Sequence, residues 1–340
     1  MTILKNGSLF LLLFFIRINA NGQALIQMRM EDRIRIAEAM RVSELYGEKI
    51  WSGFNVVPFT IILVTDSVEF LINHPSPSND FILLNDDSLL SSNVYYRKTT
   101  YSKKLLATFP AVKGRNTIVI GTPENTGKNT TDWIITLLHE HFHQYANSGP
   151  NYYSAVDSLK LSRGDRTGMW MLNYPFPYSD STVVYQYKRY ISAIVKCLAD
   201  IDSSSFHLDL GEYLKARRSL QQALNPADYR YFSFQIWQEG IARYSEYKFL
   251  DLLKGDRSSK KVSDLFDFVP FDKYQTDFYQ KQINQLKTNN LEVNKRVCFY
   301  AVGFAEGLIL DKLNPSWRDQ YLANKFFIEK YSKWFDLETN

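Results

Sequence analysis

The run Asn129-Thr130-Thr131-Asp132-Trp133-Ile134-Ile135-Thr136-Leu137-Leu138-His139-Glu140-His141-Phe142-His143 reads as a capped amphipathic helix carrying three of the chain's five histidines. Asn129, Thr130 and Thr131 are cap candidates, Asp132 suits the first turn, and Trp133, Ile134, Leu137 and Leu138 form an apolar face. His139 and His143 stand at i and i+4, one above the other on a single face. That spacing presents two imidazoles to one Zn²⁺, and Glu140, about 100° round the helix, reaches a metal-bound water as general base. His141 points away from this face and is not counted as a ligand. Five histidines and 14 glutamates in 340 positions give on the order of 0.003 chance occurrences of the pattern H-E-x-x-H.

A catalytic zinc takes three protein ligands and keeps one position open. No His-x-x-Gly-x-x-His continuation follows His143, which argues against a metzincin arrangement, so an acidic residue on a second helix is the natural third ligand. Trp237-Gln238-Glu239-Gly240-Ile241-Ala242-Arg243-Tyr244-Ser245-Glu246-Tyr247 lies in a long helical pattern and offers Glu239. Glycine inside a helix costs about 1 kcal/mol, so Gly240 implies close approach by another element, expected here to be the histidine helix.

Glu-Gly-x-Ala-x-Tyr-x-Glu downstream of H-E-x-x-H resembles the gluzincin metallopeptidases, distantly the aminopeptidase N-like family. The resemblance implies that Glu239 is the third zinc ligand and that Glu246, seven residues on, orients a zinc-bound imidazole. Tyr300-Ala301-Val302-Gly303 is similar to the family's Tyr-x-x-Gly, which implies that Tyr300 steadies an oxyanion; a tyrosine packed beside Phe299 is the competing reading. Gly121-Thr122-Pro123-Glu124-Asn125 echoes the family's exopeptidase motif with proline in place of methionine, so Glu124 is a weak candidate for binding a substrate amino group or else part of a turn. The 96-residue gap from His143 to Glu239 exceeds that of the classical aminopeptidases, and their large β-rich domain is missing. The resemblance implies a thermolysin-like catalytic unit with one Zn²⁺, acting on a peptide or protein substrate.

Working outward, residues 29–48 read as an amphipathic helix. Val56–Thr65, Val94–Arg97 and Thr117–Gly121 read as strands, and residues near 130–147, 182–200, 209–223, 227–253, 272–288, 294–313 and 316–335 as helices. The expectation is an α+β fold: a small sheet-containing subdomain over 25–128, a mostly helical subdomain over 129–340, and a cleft between them. Asn173-Tyr174-Pro175-Phe176-Pro177-Tyr178 either lines that cleft or packs on the core. His74 and His207 read as solvated or capping residues. A net charge of +4 is too small to argue for nucleic acid, and no P-loop, Gly-x-Gly-x-x-Gly or Gly-x-Ser-x-Gly is present.

Lys5 followed by the apolar run Leu9–Ile16, with small residues at Ala20 and Ala24, reads as a signal peptide over 1–24. It has no adjacent cysteine for lipid attachment. A secreted or periplasmic protein without stable membrane insertion is expected; an uncleaved anchor is the other reading. Export permits a Cys197–Cys298 disulfide, with buried free thiols as the alternative. Two further readings of the zinc motif are a catalytically inactive zinc-binding scaffold and a hydrolase of other amide or glycan-linked peptide substrates.

Overall fold

A computed structural model describes residues 26–336, so the expected signal peptide lies outside the described residues. The helix expected over 29–48 runs Met30–Ile50, with Glu31 and Asp32 facing the positive end of its dipole. Six strands follow: β1 (Ile61–Val64), β2 (Val68–Ile72), β3 (Ile82–Asp87), β4 (Ser92–Lys98), β5 (Leu106–Val112) and β6 (Arg115–Gly121). They form one sheet in the order β3-β4-β2-β1-β6-β5, in which only β1 and β6 run parallel. β1 is buried throughout because successive side chains enter different cores. Ile61 and Leu63 join the main core, whereas Ile62 and Val64 meet Leu71, Phe81, Val112 and Val119 on the other face.

Everything after the sheet is helical or irregular, so the α+β order expected from the sequence holds. Of the strand-like runs, Val56–Thr65 contracts to β1, because Phe54–Val56 winds into a 3₁₀ turn and Pro58 follows it. β2, β3 and β5 were not expected. β3 carries Asn85-Asp86-Asp87 on a sheet edge, and β5 holds Pro110 at an irregularity between Phe109 and Val112, so neither shows a clean alternation.

The histidine helix spans Thr130–Ser148, with Asn129 as its cap: the side-chain oxygen accepts from the Asp132 N–H at 2.8 Å. Thr130 and Thr131 bind the 267–269 segment instead, through Asp267 and the Val269 carbonyl. The helix packs against the Met30–Ile50 helix, β5, β6 and the Ile241–Leu252 helix.

The helix expected over 227–253 is present but interrupted. Pro226–Gln235 and Ile241–Leu252 are α-helical, and between them Ile236–Gly240 forms a wider π-turn. Such single π-turns cluster at functional sites. Gly240 does answer a close approach, but the approaching element is Gly303 of the Cys298–Leu313 helix rather than the histidine helix. A Cβ on Gly240 would stand 2.5 Å from Gly303 Cα, and one on Gly303 would stand 2.4 Å from Gly240 Cα. One turn on, Gly307 faces the Tyr244 ring, so the two helices run in the same direction with backbones in contact.

The helix expected over 316–335 does not form. Trp317–Gln320, Ile328–Tyr331 and Lys333–Phe335 are separate 3₁₀ turns, and Phe326 takes a positive φ of 73°. Tertiary contacts override the apparent periodicity: Tyr321 stacks on Trp237 at 4.5 Å, Trp317 meets Trp51 edge-on, and Tyr331 accepts from the Trp237 indole at 3.0 Å. Cys197 and Cys298 are free and buried, which selects the thiol reading; burial pushes the first up to about 12 and the second to about 11. No helix among the described residues is long and apolar enough to cross a membrane.

Gly303→Ala should destabilise the protein by at least the ~1–3 kcal/mol typical of an overpacked core, because its Cβ meets backbone rather than a movable side chain. Gly211→Ala is the control. Its Cβ meets nothing within 4 Å in the Phe206–Ala223 helix, and it should stabilise by up to about 1 kcal/mol. Urea unfolding of both variants checks the contrast.

Candidate metal centre

His139 and His143, one helical turn apart, bring their Nε2 atoms to 3.1 Å of each other. Glu239 Oε2 lies 3.6 Å from the first and 3.5 Å from the second. A tetrahedral zinc with bonds of about 2.0–2.1 Å spaces its donors about 3.3–3.4 Å apart, so this triangle has the size of three corners of a zinc site. The donor set of two imidazoles and one carboxylate suits the same ion. Glu140 is close by: the candidate donor atoms of His139, Glu140 and His143 all lie within 4.8 Å of one another and could hold a metal ion. The tighter grouping through Glu239 leaves Glu140 free for a different task.

Each imidazole is oriented from behind. His139 Nδ1 is 2.5 Å from Glu246 Oε1, and the other oxygen of Glu246 accepts from Arg243 at 2.8 Å. His143 Nδ1 is 3.1 Å from the side-chain amide of Gln238, whose far end meets the Tyr152 hydroxyl at 3.2 Å. As placed, the amide nitrogen faces His143 and Tyr152 donates to the amide oxygen; a metal on His143 Nε2 would leave Nδ1 as the N–H and turn the amide over, oxygen toward His143. The π-turn lets the adjacent residues Gln238 and Glu239 both reach the histidines, one behind and one in front.

Burial disfavours charge on His139, but Glu239 and Glu246 on either side of the ring, with Glu140 nearby, raise it to about 9. Burial also works against Glu239, yet the two imidazoles hold it well below the usual carboxylate range. Glu140 is positioned from the sheet: Thr108 Oγ1 on β5 lies 2.9 Å from both its Oε2 and its backbone carbonyl. The Tyr300 ring lies parallel to that of His139, with centroids 6.3 Å apart, and its hydroxyl accepts from Arg296 at 3.1 Å. Burial and the charge of Glu239 push the phenol up, so it stays a proton donor. Beside it, Phe299 is in the core and meets Phe176 and Phe232, whereas Tyr300 is only partly buried.

Glu124 is not brought to this group. It sits in a short turn of helix, Pro123–Thr126, capped by Thr122, and its carboxylate pairs with Arg29 at 2.8 Å, which holds it at about 2 against the effect of burial. Glu124 thus stands in a turn, as the second of its two readings expects. His141 is structural: it stacks on Phe59 at 4.1 Å, bonds Gln144 at 2.8 Å, and is pushed down to about 4 by burial. His74 caps a turn by accepting the Ser76 N–H at 3.2 Å but is buried rather than solvated, and the exposed His207 stacks on Trp334. Sequence reasoning missed Thr108, Tyr152, Gln238, Arg243 and Arg296. Gln238 and Arg243 lie within the glutamate-helix motif, the latter three residues before Glu246; Thr108 has no local signal, since only the sheet carries it to Glu140.

No protein-family model, curated protein or solved structure matches this chain.

The protein should bind one zinc per chain, and His143→Ala or Glu239→Ala should abolish stoichiometric zinc in elemental analysis. Glu246→Gln keeps all three ligands and should weaken zinc by about 10–100-fold in a chelator competition. Full occupancy in the first two variants would sink the ligand assignment.

Proposed function

We propose that the protein is an exported zinc-dependent metallopeptidase on a thermolysin-like, gluzincin-type catalytic unit. The observation that carries this reading is the closure of the His139–His143 pair by Glu239, with Glu140 beside the triangle but outside it. A bound zinc would supply an activated water and polarise the carbonyl of the bond to be cut.

The chain's own residues supply the remainder. Thr108 engages Glu140 Oε2, which leaves Oε1 to take the proton of the attacking water and pass it to the leaving amine. Arg296 donates to the Tyr300 oxygen, and the Tyr300 hydroxyl, which faces Glu239, would turn its hydrogen toward charge developing on the substrate oxygen. β5 pairs with β6 on one side only and lies against the histidine helix. An extended peptide can therefore add to its outer edge and run past Thr108 toward the centre.

Glu140→Gln keeps shape and metal but cannot accept a proton, so activity on a mixed peptide library should fall by about 10²-fold or more while zinc stays bound. Tyr300→Phe should lower kcat by roughly 10²–10³-fold with little change in KM. Unchanged turnover in Glu140→Gln would show that it is not the base. If the wild-type zinc form released no fragments from the library, by mass spectrometry, the peptidase reading would fail.

A further inference from the structure

Most arginines drawn into this molecule are answered by carboxylates. Arg35 meets Asp32 and Asp267, Arg217 meets Glu306 and Glu329, Arg243 meets Glu246, and Arg318 meets Asp311. Burying a guanidinium without a counter-charge is costly, which explains the pattern. Arg296 departs from it at the metal centre itself. It is half-buried, its hydrogen bond goes to the neutral Tyr300 hydroxyl, and among the described residues no carboxylate lies within ion-pair distance of it, although the charge of Glu239 reaches it. One Nη1–H is used, and the rest of a five-donor fork is open.

The backbone is arranged to hold that side chain there. Lys295, immediately before it, adopts φ 47° and ψ −133°, a conformation a non-glycine residue takes only when its surroundings impose it. Asn290 caps the preceding turn by accepting from Glu292 and Val293, and its N–H donates to the Asn294 side chain, which fixes the entry into the strained residue. The charge of Arg296 is felt by Tyr300, Glu239 and Tyr231, and by Tyr178 from the Asn173–Tyr178 stretch. That stretch packs mainly on the core, Tyr174 on Tyr231 and Phe176 on Phe299, and leaves Tyr178 half-buried.

We propose that Arg296 receives a carboxylate of the substrate, so that the enzyme selects peptides with an acidic group next to the bond it cuts. The proposal rests on the peptidase reading and adds to it the class of substrate. A guanidinium fork beside a carboxylate forms two parallel charge-assisted bonds, and an uncharged amide of the same shape cannot match them. The carboxylate comes either from an Asp or Glu side chain or from a free C-terminus; the chemistry is shared.

The test uses the zinc-loaded full chain and peptides in matched sets: Glu against Gln and Asp against Asn at each position, each as C-terminal acid and as C-terminal amide. The wild type should favour the carboxylate form by roughly 10–100-fold in kcat/KM at one position. A preference at Asp and Glu in the amide series identifies the side chain; one confined to the acid series identifies the C-terminus. Arg296→Gln should bring that ratio close to one, whereas Tyr300→Phe should slow every peptide and leave the ratio intact. Because Arg296 also touches Tyr300, the ratio rather than the absolute rate is decisive. Equal rates for carboxylate and amide peptides in the wild type, or an unchanged ratio in Arg296→Gln, would overturn the proposal. Calorimetry on metal-stripped protein with acetyl-Ala-Ala-Glu-Ala-amide, acetyl-Ala-Ala-Gln-Ala-amide and acetyl-Ala-Ala-Ala separates this from a failure of the peptidase reading. Tighter binding of a carboxylate probe, lost in Arg296→Gln, supports the site even if nothing is cleaved, and equal weak binding of all three contradicts it.

Discussion

The backbone contact between Gly240 and Gly303 sets where the chemistry can be. Two helices approach until a single Cβ on either would collide with the other's main chain. Glu239 stands next to one glycine, and Tyr300 lies one turn before the other on the Cys298–Leu313 helix. The contact therefore carries Tyr300 and the preceding Arg296 to the same place as the carboxylate, within reach of His139. The wider turn at Ile236–Gly240 belongs to this constraint, since it re-aims Gln238 and Glu239 just where the backbones meet. Close-packed interiors do not deform gradually, so a contact of this kind works as a fixed distance.

Charge organises what the glycines bring together. His139 lies between two glutamates, Glu239 in front and Glu246 behind, and Glu246 is itself neutralised by Arg243. His143 has a neutral support instead, Gln238 backed by Tyr152. The two glutamates raise the basicity of His139 and fix its ring from both sides. A triangle of two imidazoles and one carboxylate, each imidazole held from behind, could hold a cation. Arg296, which forms no ion pair within the described residues, would give the same centre an anion-seeking edge.

How much of this was legible varied with the range of the interaction. The i, i+4 histidines and the intervening glutamate are a local pattern, and the cap at Asn129 and the helix around it follow from the same residues. Gly240 announced a close approach but not its partner, because a missing side chain says how near and not to whom. The helix expected over 316–335 failed for the opposite reason: Trp317, Tyr321 and Tyr331 recur at nearly helical spacing, yet each is held by Trp51 or Trp237 from distant parts of the chain. Thr108 was out of reach altogether, for it meets Glu140 only through the pairing of β5 with β6 and the seating of the histidine helix across them.

The proposed centre would hold one ion by His139 Nε2, His143 Nε2 and Glu239 Oε2, and zinc K-edge X-ray absorption on the metal-loaded protein tests that directly. This ligand set predicts a shell of nitrogen and oxygen at about 2.0–2.2 Å, with the multiple-scattering signature of two imidazoles and no sulfur. Glu239→Ala should lose that spectrum, while Glu140→Gln should keep it. A sulfur shell near 2.3 Å, a third imidazole, or an unchanged spectrum in Glu239→Ala would contradict the account.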